Sequence, residues 1–332
     1  MKMIIYAYVN ATGKEMVQSI TPHTRRHRSM TLMQEPYNGF ISFLRAPIQN
    51  DVENVDIAIV GVPFDLATTG RAGARFGPRG VREMSLTMAE FPWGVWPWKY
   101  NVKDRHRVAD LGDITGFTAY ADRLCPAVEQ RLGTILNAGC SVLTIGGDHC
   151  ITFPVLRAHY KKFGKLALIH FDAHSDTWTD PDLNHGTMFY HAIQEGIIDP
   201  AHSIQMGMRT PNPDTHEMLV MDALEIGQLS PETLAQRIVQ RVGNMPAYLT
   251  FDIDFLDPSV APATGTPVCG GPNVAFARAT LHALAGSGVR IVGGDQVEVA
   301  PHYEGPAQIT ALAGATIAAD ILYLIGESRA AL

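Results

Sequence analysis

From Asp56 to the C-terminus, short apolar runs alternate with segments of helical length, and this alternation does most to restrict the fold. The strand-like runs fall at residues 57–62, 108–111, 142–145, 166–171, 203–208, 248–251 and 291–293. Helical segments fall at 122–138, 153–163, 231–242, 275–285 and 307–325. Buried strands joined by helices imply a parallel sheet covered on both faces. The expected fold is therefore a three-layer α/β/α sandwich around a central, mostly parallel sheet of about eight strands. No linker or internal repeat interrupts it, so residues 36–332 are read as one catalytic domain. Residues 1–35 carry Lys2, Lys14, Arg25, Arg26 and Arg28 against one acid before residue 35, Glu15, and show little periodicity. They read as a dispensable extension. The alternatives are a disordered tail, an organellar presequence, or a start codon placed upstream of a true start near Met30 or Met33.

In open α/β sheets, ligands bind beyond the carboxyl ends of the strands. The polar motifs of this chain sit there. Gly146-Gly147-Asp148-His149 follows one strand, Asp172-Ala-His174-Ser-Asp176 a second, and Asp252-Ile-Asp254 a third. Strand alternation would put Asp172, His174 and Asp176 on one side, and Asp252 and Asp254 on one side of another strand. Buried charge is costly unless paired or bound to metal. The expected resolution is a metal site for two ions, with His149, Asp172, His174, Asp176, Asp252 and Asp254 as ligands. A lone Asp reads as a cap or turn residue, as Asp257 before Pro258 does, but that reading weakens when three such motifs occupy equivalent strand ends. Four carboxylates, two imidazoles and no thiolate suit two Mn²⁺, with Ni²⁺, Co²⁺ or Zn²⁺ as alternatives. Two such ions about 3.5–4 Å apart can lower the pKa of a shared water toward neutrality.

Composition narrows the class further. A net charge of −7 gives no support to nucleic-acid binding and fits a small cationic substrate. The four cysteines form no CxxC pair and read as free thiols in a reducing, cytoplasmic setting. Cys150, although next to His149, reads as a small packing residue. The most apolar stretch, 309–325, is interrupted by Asp320 and reads as a buried helix, not a membrane span.

GGDH, FDAHSDTW, NHGTMF, LTFDIDFLDPSVAPATGTPVCGG and the run from Gly294 to Pro301 resemble the ureohydrolase family of arginases, agmatinases and guanidino-acid hydrolases. The likeness runs from about Phe40 to the C-terminus and includes Gly61–Asp65 and Gly70–Gly73. The resemblance implies a binuclear manganese site, held by the six ligands above, in a homotrimer or homohexamer. It also implies that His185 moves protons near the leaving amine and that Glu298 grips the guanidinium, with Asp176 hydrogen-bonded to the attacking hydroxide. A carboxylate can bind a guanidinium through two hydrogen bonds, and histidine suits amine protonation, so both roles are chemically sound.

Within the family the chain is most similar to bacterial agmatinases, through residues 184–190, 195–200 and 205–210. Residues 179–184 and 209–214 do not match the loops by which arginases read an α-amino acid. The implied reaction is hydrolysis of agmatine to putrescine and urea, with Asn184, His185 and Glu298 binding the substrate. Asp180, Asp182 or Asp214 could attract its amine, and Trp178 could face it. Asn184 replaces an acid often found there, so guanidinobutyrate, guanidinopropionate and guanidine remain alternatives, as does a non-catalytic partner subunit. A binuclear phosphoesterase is disfavoured because its Gly-Asn-His-Glu-like run is absent.

Overall fold

The β-branched and aliphatic runs form eight strands in one sheet. They are β1 (Ile57–Val62), β2 (Val108–Asp113), β3 (Ser141–Gly146), β4 (Ala167–Phe171), β5 (Ile204–Met208), β6 (Leu219–Asp222), β7 (Pro246–Asp252) and β8 (Arg290–Val297). The computed structural model describes residues 38–90 and 95–330, so the reading of residues 1–35 lies outside them. Residues 39–332 cluster as one unit. The strand order is β2-β1-β3-β8-β7-β4-β5-β6, and every pairing is parallel. Parallel neighbours need crossovers, and the helices supply them on both faces. Two apolar clusters result, one per face, and the central strands contribute alternate residues to each: Ile57 and Ile59 to one, Ala58 and Val60 to the other.

The expected strands and long helices are present. Helix Pro231–Val242 begins at a Ser230 cap, whose side chain accepts from Thr233 N–H, with Pro231 in the first turn. Strand β6 was not foreseen; it is four residues long and half-exposed, too short for a periodic signal. Helix Ile309–Ala330 extends further than read. By length and composition it could cross a membrane, but 83% of its most apolar window is buried within the fold. Asp320 interrupts the helix only in sequence, because its carboxylate receives Arg278 and the Trp98 indole N–H.

Candidate metal centre and active site

The four adjacent strands β3, β8, β7 and β4 end side by side, and their carboxyl ends carry the candidate residues. The Gly146-Gly147 turn after β3 delivers His149. A Cβ on Gly147 would come within 1.8 Å of the Phe64 carbonyl oxygen, so only glycine allows this close approach. Asp148 ties the turn down by accepting from Cys150 N–H and Ala67 N–H at 3.1 and 3.0 Å. Burial, then the neighbouring Glu298, pushes its pKa to about 8.

His149 Nδ1 lies 3.0 Å from Asp172 Oδ2, 3.0 Å from Asp176 Oδ2 and 3.2 Å from Asp252 Oδ2. His174 Nδ1 lies 3.0 Å from Asp254 Oδ2 and 3.4 Å from Asp172 Oδ1. Asp172 therefore turns one oxygen to each group. A ring-nitrogen lone pair facing three carboxylates is repulsive unless a proton or a cation stands between them. His149 Nδ1 is buried and has no hydrogen-bond partner. This donor set fits a pair of divalent ions sharing Asp172.

The carboxylates are held by backbone. His174 N–H donates to Asp172 Oδ1 at 2.6 Å, Asp254 N–H to Asp252 Oδ1 at 2.8 Å, and Ala173 N–H to Asp254 Oδ1 at 3.1 Å. Their titration reflects the crowding of like charge. Burial, then Asp172, raises Asp254 to about 6, and burial, then Asp254, also raises Asp252. Burial opposes charge on His174, but Asp172 and Asp254 override it and move its pKa to about 12.

Glu298 and His185 form the adjoining wall. Glu298 Oε1 accepts from His149 N–H and faces His185 Nδ1, both at 2.9 Å. Its Oε2 is buried without a partner. Thr69 N–H donates to His185 Nε2 at 2.8 Å. A backbone N–H can only donate, so in this arrangement the ring proton sits on Nδ1, toward Glu298. Burial opposes a second proton on His185, and Glu298 more than offsets it, raising the pKa to about 9. One cage residue, Asp176 (φ 54°), and one wall residue, Glu298 (φ 65°), hold left-handed backbone. Such strain in non-glycine residues concentrates at functional sites. A cavity of about 430 Å³ opens here, lined by Thr69, His174, Asp176, Asp252 and Thr266 and rimmed by Trp178 and Asp180.

The arginase family profile matches residues 55–323. The chain belongs to the arginase family. It is 46% identical over 304 residues to an agmatinase of Proteus mirabilis, covering 90% of this chain and 98% of that one. Among solved structures it is similar to a hypothetical agmatinase from Burkholderia thailandensis, with TM-score 0.86, 46% identity and coverage of 90% and 93%. It is also similar to proclavaminate amidino hydrolase from Streptomyces clavuligerus, with TM-score 0.83, 34% identity and coverage of 89% and 100%.

In this arginase-family chain the six candidate ligands are brought together, but not by strand alternation as expected. β4 ends at Phe171, and Asp172–Asp176 is a loop whose last residue has φ 54°. Asp254 likewise lies in the 3₁₀ turn Ile253–Phe255 beyond β7. The loops do the converging, because a continuing strand would carry these charges away from one another. Arg209 braces the second loop from below. Its guanidinium donates to the carbonyls of Gly207, Asp254, Phe255 and Val268.

Asn184 lines the cavity, and its Oδ1 accepts Gly186 N–H at 2.8 Å, which fixes the turn presenting His185. Of the three rim acids considered, Asp180 lines the cavity. Asp214 instead lines a separate cavity of about 560 Å³ that contains none of the six ligands. Cys150 is buried as expected of a packing residue. Thr69 and His170 are among the residues missed. Thr69 gave no sequence signal, since a threonine in a loop has no periodic partner. His170 could have been found, because it is a histidine inside an apolar strand run, two residues before Asp172. Gln205 donates to its Nδ1 at 3.0 Å, so its Nε2–H goes to Asp172 Oδ2 at 2.7 Å. His170 thus positions Asp172.

Proposed function

We propose that this chain is an agmatine ureohydrolase, releasing urea and putrescine, and that His149, Asp172, His174, Asp176, Asp252 and Asp254 hold two Mn²⁺. The observation that carries the reading is the pairing of a carboxylate–imidazole cage with a buried, unpartnered carboxylate oxygen, Glu298 Oε2, in the adjoining wall. A cage alone would fit many hydrolases. An unpaired buried acceptor beside it suits a group that is always cationic and rich in N–H, which a guanidinium is. Thr68 Oγ1 is also buried and unpartnered. A Cβ on Gly265 would sit 2.9 Å from the Arg71 carbonyl oxygen, 3.5 Å from Glu298 Oε2 and 3.6 Å from Thr68 Oγ1, so glycine is what fits beside these two unpartnered oxygens.

The bound ions would supply Lewis acidity and an activated water. The chain's residues do the rest. Glu298 fixes the guanidinium so that its carbon faces the cage. Asp176 accepts a hydrogen bond from the attacking water. His185 gives a proton to the departing amine nitrogen and is held for this by Thr69 and Glu298. The rim, with Asp180 and the half-exposed Trp178, suits the second, ammonium end of agmatine. The oxygen-rich donor set supports manganese over softer-ligand metals. The free thiols suit a cytoplasmic setting, and the family resemblance supports a trimer or hexamer.

The test is urea release from agmatine, arginine, guanidinobutyrate, guanidinopropionate and guanidine, with Mn²⁺ and Ni²⁺ in parallel. Fastest turnover of agmatine with Mn²⁺ is expected. Urea from none of the panel with either metal would overturn the reading.

A further inference from the structure

Beneath the cage lies a carboxylate that the proposed chemistry does not use. Asp295, on β8, is fully buried near the middle of the sheet. Its Oδ2 accepts from Thr152 Oγ1 at 2.8 Å and from Tyr248 OH at 2.9 Å, both neutral donors. Its Oδ1 has no hydrogen-bond partner among the described residues. Two hydroxyls are thin compensation for a buried carboxylate, and nothing in the proposed chemistry requires an acid there. Its neighbours across the sheet are informative. Asp295 pairs in register with Thr250 of β7, and Thr250 Oγ1 lies 2.8 Å from His149 Nε2.

The order of donors follows from His149. Its Nδ1 faces the cage, so for that nitrogen to bind a cation the ring proton must sit on Nε2 and be donated to Thr250 Oγ1. The threonine hydroxyl then keeps its own hydrogen to give away, and the in-register neighbour across the sheet is Asp295, whose Oδ1 has acceptor capacity to spare.

We propose that Asp295, acting through Thr250, is a positioning residue for the metal centre: it fixes His149 in the Nδ1-binding tautomer and sets the affinity of the ion that His149 faces. The inference rests on the metal-centre reading above. It concerns affinity and not the chemical step, since Thr250 meets His149 at Nε2, the ring nitrogen opposite the one that faces the cage, and Asp295 lies beyond Thr250 on the next strand.

The test is Mn²⁺ binding to metal-stripped protein by calorimetry and by metal analysis after dialysis. Removing an outer partner of a ligating histidine costs about 10–100-fold in metal affinity. Asp295→Asn and Thr250→Val should each weaken one of two ions by that factor and leave the other nearly unchanged. Thr250→Ser, which keeps the hydroxyl, should bind as wild type does. The Thr250→Val/Asp295→Asn double variant should be no weaker than Thr250→Val alone, because the carboxylate acts through the hydroxyl. Metal-free melting temperatures report whether each variant folds. If valine or asparagine is not tolerated, the smaller Thr250→Ala should show the loss that Thr250→Ser does not. Affinities within twofold of wild type for Asp295→Asn, or losses that multiply in the double variant, would overturn the proposal. Wild-type protein that takes up fewer than two ions would instead overturn the metal-centre reading, and this inference with it.

Discussion

The floor of the cavity and its rim are built on opposite plans. Every cage residue except His174 is buried, and Asp172, Asp252 and Asp254 each accept a backbone N–H from a loop rooted in a central strand. The rim, from Trp178 to Asn184, is largely exposed and shaped by short local turns, such as Asp182 N–H donating to Asp180 Oδ1. A buried polar group left without a partner is costly, so the floor tolerates few alternatives. Exposed turn residues carry no such constraint. The contrast suggests that the chemistry is written into the floor and substrate choice into the rim.

The severest test removes a floor ligand. Asp254→Ala or His174→Ala should lower kcat by at least about 10³-fold and reduce bound Mn²⁺ per chain, as read by urea release and metal analysis. Normal turnover in either would erase the distinction. Glu298→Gln keeps the shape but loses the charge, and should cost about 10²–10³-fold in kcat/KM for agmatine. His185→Asn should cost about 10²-fold, mainly in kcat.

The titration of the floor gives a fourth check. In metal-free protein the His174 pKa is raised from 6.5 to about 12, so its contribution to stability is complete below 6.5 and is lost as pH rises through 12. Between those limits an incoming ion must displace that proton. Mn²⁺ affinity should therefore rise with pH, and calorimetry in buffers of different ionisation enthalpy should register release of about one proton or more per chain. Affinity independent of pH from 6.5 to 9 would contradict the cage geometry. The rim should give the smallest effect. Asp180→Asn and Trp178→Ala should raise KM for agmatine by about tenfold or less, with kcat nearly unchanged. A kcat collapse there would show that rim and floor are not separable.

How much was legible in the sequence follows the same division. The strands of the floor are runs such as Val-Leu-Thr-Ile and Ala-Leu-Ile-His-Phe, whose apolar content leaves few other readings, and their polar endings mark the ligands. The means of convergence was not legible. Left-handed backbone at Asp176 and Glu298 has no sequence signature, since glycine is the residue that usually signals it. The positioning groups Thr69, Thr250 and Gln205 act through contacts 116, 101 and 35 residues distant, and long-range partners leave no local pattern. β6 was missed because four half-exposed residues give no alternation to count.

One carboxylate spanning both halves of the cage has a consequence for loading. Asp172 points Oδ2 toward His149 and Oδ1 toward His174, and His170 and a backbone N–H lock it in that pose. An ion in either half would draw electron density from this shared carboxylate and alter what the other half offers. Occupancies of the two halves would then be linked, and a centre holding one ion would be its own chemical species, not half of the complete one.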